Sequence, residues 1–261
     1  MKNKNILYIT IALVIYVILI SFPTYLFIKD DPDLCYLIEI ILRSVYLVFI
    51  ILFSIFTKLA KSYTGKTKWL NMLILLPLFF VAFFNIFYLR VVAGSSIDES
   101  LWSNITKVFY SDGVNTHEIL RFVSVVITVV EEEILFRFLL QKNLSLGHKF
   151  VRIAITAAVY TACHFFGMLY YGYGHIDPLQ LLELLFVFGI GMILGVLYEY
   201  SNNIYYSMGF NMIYSLQASI FPIAITTTVG YKIYLTSALF ALGAAAYICL
   251  FYFVILKKEQ R

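Results

Sequence analysis

The chain has 261 residues, 62% of them hydrophobic and only 13% charged, with a net charge of +4 and a mean hydropathy of +0.88. Soluble domains carry about 25% charged residues, so this composition excludes an ordinary soluble globular protein. Apolar runs of about 20 residues fit bilayer-crossing helices rather than the alternating segments of a membrane barrel, and the lack of basic clusters interleaved with aromatics excludes nucleic acid as a partner.

Met1-Lys2-Asn3-Lys4 precedes an apolar run over residues 5–28. That run is too long for a signal peptide and is followed by no small-residue cleavage site, so it reads as a retained first span. An acidic loop over 29–33 leads to a second span, 34–56, in which Glu39 and Arg43 stand four apart and neutralise each other on one face. A basic loop, 57–69, precedes a third span at about 70–92. The longest connection, 94–116, is polar, with a short interfacial helix expected over 102–110.

The fourth span, about 122–140, carries Glu131-Glu132-Glu133-Ile134-Leu135-Phe136-Arg137. A basic turn over 142–152 leads to a fifth span, about 151–171, containing His164. The sixth span, 179–198, holds Gly189, Gly191 and Gly195, of which Gly191 and Gly195 make a small-xxx-small face that serves close helix packing. Asn202 and Asn203 interrupt the pattern before a seventh span from 204 to about 225. An eighth, about 231–256, ends in Lys257-Lys258.

Eight crossings bring both termini and all the basic segments to one side, which the positive-inside rule makes the cytoplasm. The expected architecture is therefore an all-α, polytopic protein of the cell membrane with about eight transmembrane helices, N-in and C-in. Residues 1–116 form an N-terminal group of three spans with its outer loop, 117–225 a core of four spans, and 226–261 a final span. Cys35, Cys163 and Cys249 lack the spacing of a zinc knuckle or a disulfide framework.

Charge inside a membrane helix costs at least roughly 2.5–3.5 kcal/mol per residue, so three carboxylates and a guanidinium within seven residues form a functional-site candidate. On an α-helix Glu133 and Arg137 share a face, whereas Glu132 is rotated about 100° from Glu133 and has no cation three or four residues on. Arg137 thus holds one glutamate while its neighbour faces another helix, where a shielded carboxylate suits general-base work. Glu131 has no comparable partner, and either faces a polar seam or stays protonated. His164 on the next antiparallel span either hydrogen-bonds across the bundle interface or joins the glutamates in a site; Asn211 and Ser215, four apart on the seventh, share a face and are able to donate to an oxyanion or simply to pack. No H-E-x-x-H, G-x-S-x-G or phosphate loop occurs, which removes the common zincin, serine-hydrolase and ATPase readings.

These residues resemble the CAAX prenyl endopeptidase type 2 and bacteriocin-processing family, also called the Abi family. Its motif E-E-x-x-x-R is matched in full by Glu132-Glu133-Ile134-Leu135-Phe136-Arg137. Its F-x-x-x-H is matched by Tyr160-Thr161-Ala162-Cys163-His164, with tyrosine for phenylalanine. The third motif, H-x-x-x-N or H-x-x-x-D, has its best-placed match in Asn211-Met212-Ile213-Tyr214-Ser215, with both polar positions changed. The likeness covers about 118–215. It implies a glutamate-type intramembrane peptidase, acting on a membrane-associated peptide or protein, in which Glu132 activates a water and His164 orients it. Arg137 would fix Glu133, and Asn211 with Ser215 would stand where the family stabilises the oxyanion. Two glutamates and a histidine are in principle zinc ligands, but without an established ligand spacing no metal or other cofactor is expected. Competing readings are a catalytically weakened or inactive family member serving as an immunity or regulatory membrane scaffold, and a transporter using the glutamates as a proton relay.

Overall fold

The computed structural model describes residues 2–20, 32–57, 59, 116–144, 148–171 and 178–220, together with 239, 242–243 and 246. Within them the fold is helical, with α1 over Lys2–Ile20, α2 over Pro32–Phe56 and α3 over Thr116–Glu132. A π-helical segment, Glu133–Gln141, continues α3, and α4 (Lys149–Tyr171), α5 (Pro178–Ser201) and α6 (Ile204–Ile220) follow. The expected third and eighth spans, the interfacial helix at 102–110 and the far ends of the first and seventh spans lie outside the described residues.

Solvent-facing side chains on α2 show why these helices suit lipid. Leu34, Leu37, Ile41, Val45, Val48, Leu52 and Ile55 recur every three or four residues and are all exposed. Between them the inward face carries Glu39, Arg43, Tyr46, Ile50 and Ser54. Apolar outside and polar inside inverts the pattern of a water-soluble helix. Among the described residues one helix, Asp33–Phe56, is both long and apolar enough to cross a membrane, and Asn5–Leu19 and Leu184–Glu199 are shorter apolar stretches. The acidic α3 gains its place by packing: it lies between α2 and α6, while α4 runs along α5 and α5 against α6.

The α4–α5 seam depends on two glycines. A Cβ on Gly195 would stand 2.8 Å from Ile153 Cγ2, and one on Gly191 would meet the Ala157 backbone at 3.2 Å, so larger residues would force the helices apart. The expected small-residue packing face is therefore present at these positions. Gln141 bolts the same seam to the π-helical segment, donating from Nε2 to the Gly195 carbonyl across 2.9 Å. α5 stops where Asn202 takes φ 49°, a left-handed conformation that asparagine tolerates. Asn203 then opens α6, its Oδ1 accepting from the Tyr205 backbone N–H at 3.0 Å.

Candidate active site

The carboxylates of the acidic run take three separate environments. Glu131, 1% exposed, accepts from Arg43 Nη1 at 3.0 Å, and Arg43 also donates from Nε to Glu39 at 2.8 Å. The i,i+4 pair expected on the second span is present. The expectation that Glu131 has no comparable partner does not hold: Arg43 of α2 supplies one, because a guanidinium carries five N–H donors and can serve both glutamates.

Glu132 is held from both sides. Its Oε1 accepts from the Tyr16 hydroxyl of α1 at 2.9 Å, and its Oε2 from the Tyr160 hydroxyl of α4 at 3.2 Å. His164 Nε2 lies 3.7 Å from the same Oε1. The imidazole is oriented by its other nitrogen, which sits 3.0 Å from the Tyr160 carbonyl. A carbonyl only accepts, so Nδ1 donates there and Nε2 is left facing the carboxylate.

Two features bring these side chains level. The helical backbone of the acidic helix continues to Asn143 rather than stopping at Leu140, as the meeting of Glu132 with His164 requires. Helical side chains also lean toward their own N-terminus, so on antiparallel helices Glu132 and His164 lean toward each other.

Glu133 begins the π-helical segment, in which the Lys142 N–H reaches back five residues to the Arg137 carbonyl. The expected α-helical winding is thus replaced by a wider one, of a kind found frequently at functional sites. Arg137, fully buried, still pairs with Glu133, Nε to Oε2 at 3.7 Å, and its guanidinium carbon lies 5.5 Å from the Tyr160 ring centroid. The Asn211 amide donates to Glu133 Oε1 at 3.1 Å, and Ser215 donates to Asn211 Oδ1 at 3.2 Å. Glu133 therefore ties Arg137 to Asn211 and leaves Glu132 to the tyrosines and the histidine.

A cavity of about 430 Å³ collects the polar ends. Glu132, Tyr160, His164, Asn211 and Ser215 line it, with Glu39, Arg43 and Arg121 also on its walls, whereas Glu133 and Arg137 are not among the lining residues. Among the described residues no three His, Cys, Asp or Glu side chains are grouped to hold a metal ion. Sequence reasoning missed Tyr16 and the reach of Arg43 to Glu131, since both lie outside the stretch that carries the motifs. The signals were a tyrosine and a charge inside apolar runs.

Comparison with curated proteins and with solved structures yields no match. Residues 116–217, which contain Glu132, His164 and Asn211, match the family model described as type II CAAX prenyl endopeptidase, Rce1-like. That is a family of membrane proteases, in agreement with a helical fold that presents an apolar span to its surroundings. Over residues 116–217 the chain is similar to the Rce1-like type II CAAX prenyl endopeptidases.

Proposed function

We propose that this protein is an intramembrane endopeptidase that hydrolyses a peptide bond of a membrane-associated peptide or protein, with Glu132 as general base. The observation that carries the reading is the 3.7 Å approach of His164 Nε2 to Glu132 Oε1 on the wall of one cavity. Both atoms are acceptors in the neutral-ring, ionised-carboxylate state. One water, at hydrogen-bond lengths of about 2.8 Å to each, spans such a gap with a proton toward each and its lone pairs toward the cavity.

Glu132 takes a proton as the water oxygen bonds to the scissile carbonyl carbon. The developing oxyanion receives an N–H of Asn211, whose amide nitrogen has two hydrogens and gives one to Glu133. Collapse breaks the C–N bond, and the proton held by Glu132 passes to the leaving amine. Glu133, fixed by Arg137, acts by orienting Asn211, and Ser215 steadies the same amide from its other end. The catalytic core comprises residues 117–225, on a scaffold of about eight transmembrane helices, N-in and C-in in the cell membrane. Residues 1–116 and 226–261 supply the flanking spans.

The test uses the full chain in lipid nanodiscs with a farnesylated CAAX peptide carrying a fluorophore and quencher. Wild type is expected to release a product of defined mass, while Glu132→Gln and His164→Ala remain folded and inactive. Undiminished turnover in either variant contradicts the mechanism. A second reading, a scaffold without catalysis, draws on the third motif, where Asn211 and Ser215 bond to each other and to Glu133. A stable partner recovered equally with wild type and Glu132→Gln, in the absence of any hydrolysis, favours that reading.

A further inference from the structure

We infer that Tyr16, on α1 and outside the family-matched segment, is a positioning residue that fixes the Glu132 carboxylate against His164; the inference rests on Glu132 being the general base. The hydroxyl is the informative part of this side chain. The Tyr16 ring is completely buried, in an edge contact with Phe136 at 5.5 Å and tilted on Tyr46 at 5.9 Å, and a phenylalanine would keep both contacts. Packing alone therefore does not call for an oxygen here, and a buried hydroxyl without a partner is costly.

That oxygen reaches Glu132 Oε1, the same atom that stands nearest His164 Nε2. The last torsion of a glutamate is broad, so packing does not decide the plane of the carboxylate. Two phenols decide it. Tyr160 donates to Oε2 from α4 and Tyr16 to Oε1 from α1, and together they set the plane of the carboxylate. The height of Tyr16 is set in turn: the Tyr46 hydroxyl of α2 donates to the Ala12 carbonyl at 2.8 Å, one helical turn before Tyr16. The matched segment thus contains the base but only one jaw of the clamp that aims it, and the other jaw comes from the first helix of the chain.

The experiment compares full-length wild type, Tyr16→Phe, Tyr160→Phe and Glu132→Gln in nanodiscs. Infrared bands that disappear in the Glu132→Gln difference spectrum belong to the Glu132 carboxyl group. Tyr16→Phe and Tyr160→Phe are each expected to displace those bands, because each removes a hydrogen bond to one oxygen. On the farnesylated CAAX peptide, Tyr16→Phe is expected to lower kcat about tenfold or more with KM unchanged, the size of one hydrogen bond to a charged group. Glu132 bands identical in wild type and Tyr16→Phe overturn the proposal, as does wild-type kcat in that variant. If wild type fails to cleave the peptide, the peptidase reading fails on that substrate, and the infrared comparison still decides the clamp.

Discussion

Arg43 Nη1 donates to Glu131 Oε1 across 3.0 Å, joining a helix outside the matched segment to the helix that carries the acidic run. With the Arg43 side chain 13% exposed and the Glu131 side chain 1%, the pair is shielded from the screening that makes surface bridges weak. Its effect is to neutralise the glutamate next to the proposed base while leaving Glu132 to hydrogen-bond donors of its own.

Removing one partner of such a pair leaves an uncompensated buried charge. Arg43→Met is expected to destabilise the protein by about 3–5 kcal/mol, and Arg43→Met with Glu131→Leu to recover most of that loss. Thermal unfolding of the two single variants and the double in nanodiscs checks the cycle. Additive losses would mean that the two side chains do not interact.

Proton transfer by a positioned side chain contributes about 10²–10⁴ to a rate. Glu132→Gln is expected to lose at least the lower end of that range in kcat with its unfolding temperature little changed, since glutamine keeps the shape of the side chain. His164→Ala is expected to lose as much. Single-turnover rates on the farnesylated peptide give both values, and a variant within a few-fold of wild type would remove its residue from the mechanism.

Asn211→Ala should reduce kcat by about 10²–10³ if its amide stabilises the oxyanion. The same variant leaves the buried Glu133 Oε1 without the N–H it now accepts. A loss in stability is therefore expected beside the loss in rate. Normalising the rate to the folded fraction separates them, because a purely structural defect reduces the active fraction and leaves kcat per folded molecule unchanged.

The two oxygens of Glu132 already accept phenolic hydrogens, and Glu133 is committed to Arg137 and Asn211. Metal chelation is accordingly expected to leave turnover unchanged. Loss of activity in a chelator, restored by added zinc, would contradict this arrangement of the glutamates.

Close packing gives a test independent of catalysis. Gly195→Ala places a methyl 2.8 Å from Ile153 Cγ2 and should destabilise by about 1–3 kcal/mol. Gly209→Ala on α6 meets nothing within 4 Å and should be neutral or stabilising by up to about 1 kcal/mol. Unfolding midpoints of the two variants are expected to move in opposite directions or to differ by several degrees.

Much of the site was legible because it depends on local chemistry. Carboxylates and a guanidinium within an apolar run announce themselves by their cost, and i,i+4 spacing is enough to pair Glu39 with Arg43 and Glu133 with Arg137. Helix limits followed from the same periodicity: α2, α4 and α5 lie within a few residues of the expected spans. Asn202 and Asn203 marked a break for a reason that is also local, a left-handed residue followed by a cap.

By itself, then, the sequence determined the membrane character, the helical class and which glutamates and histidine were candidates, since hydropathy, charge and residue spacing are properties of neighbouring positions. Tertiary structure alone decided which of three adjacent glutamates meets which partner: Arg43 for Glu131, two tyrosines and His164 for Glu132, Arg137 and Asn211 for Glu133. Consecutive residues on a helix point about 100° apart, so each addresses a different neighbouring helix. Which neighbour stands there depends on how distant segments pack, and no spacing within one helix encodes that.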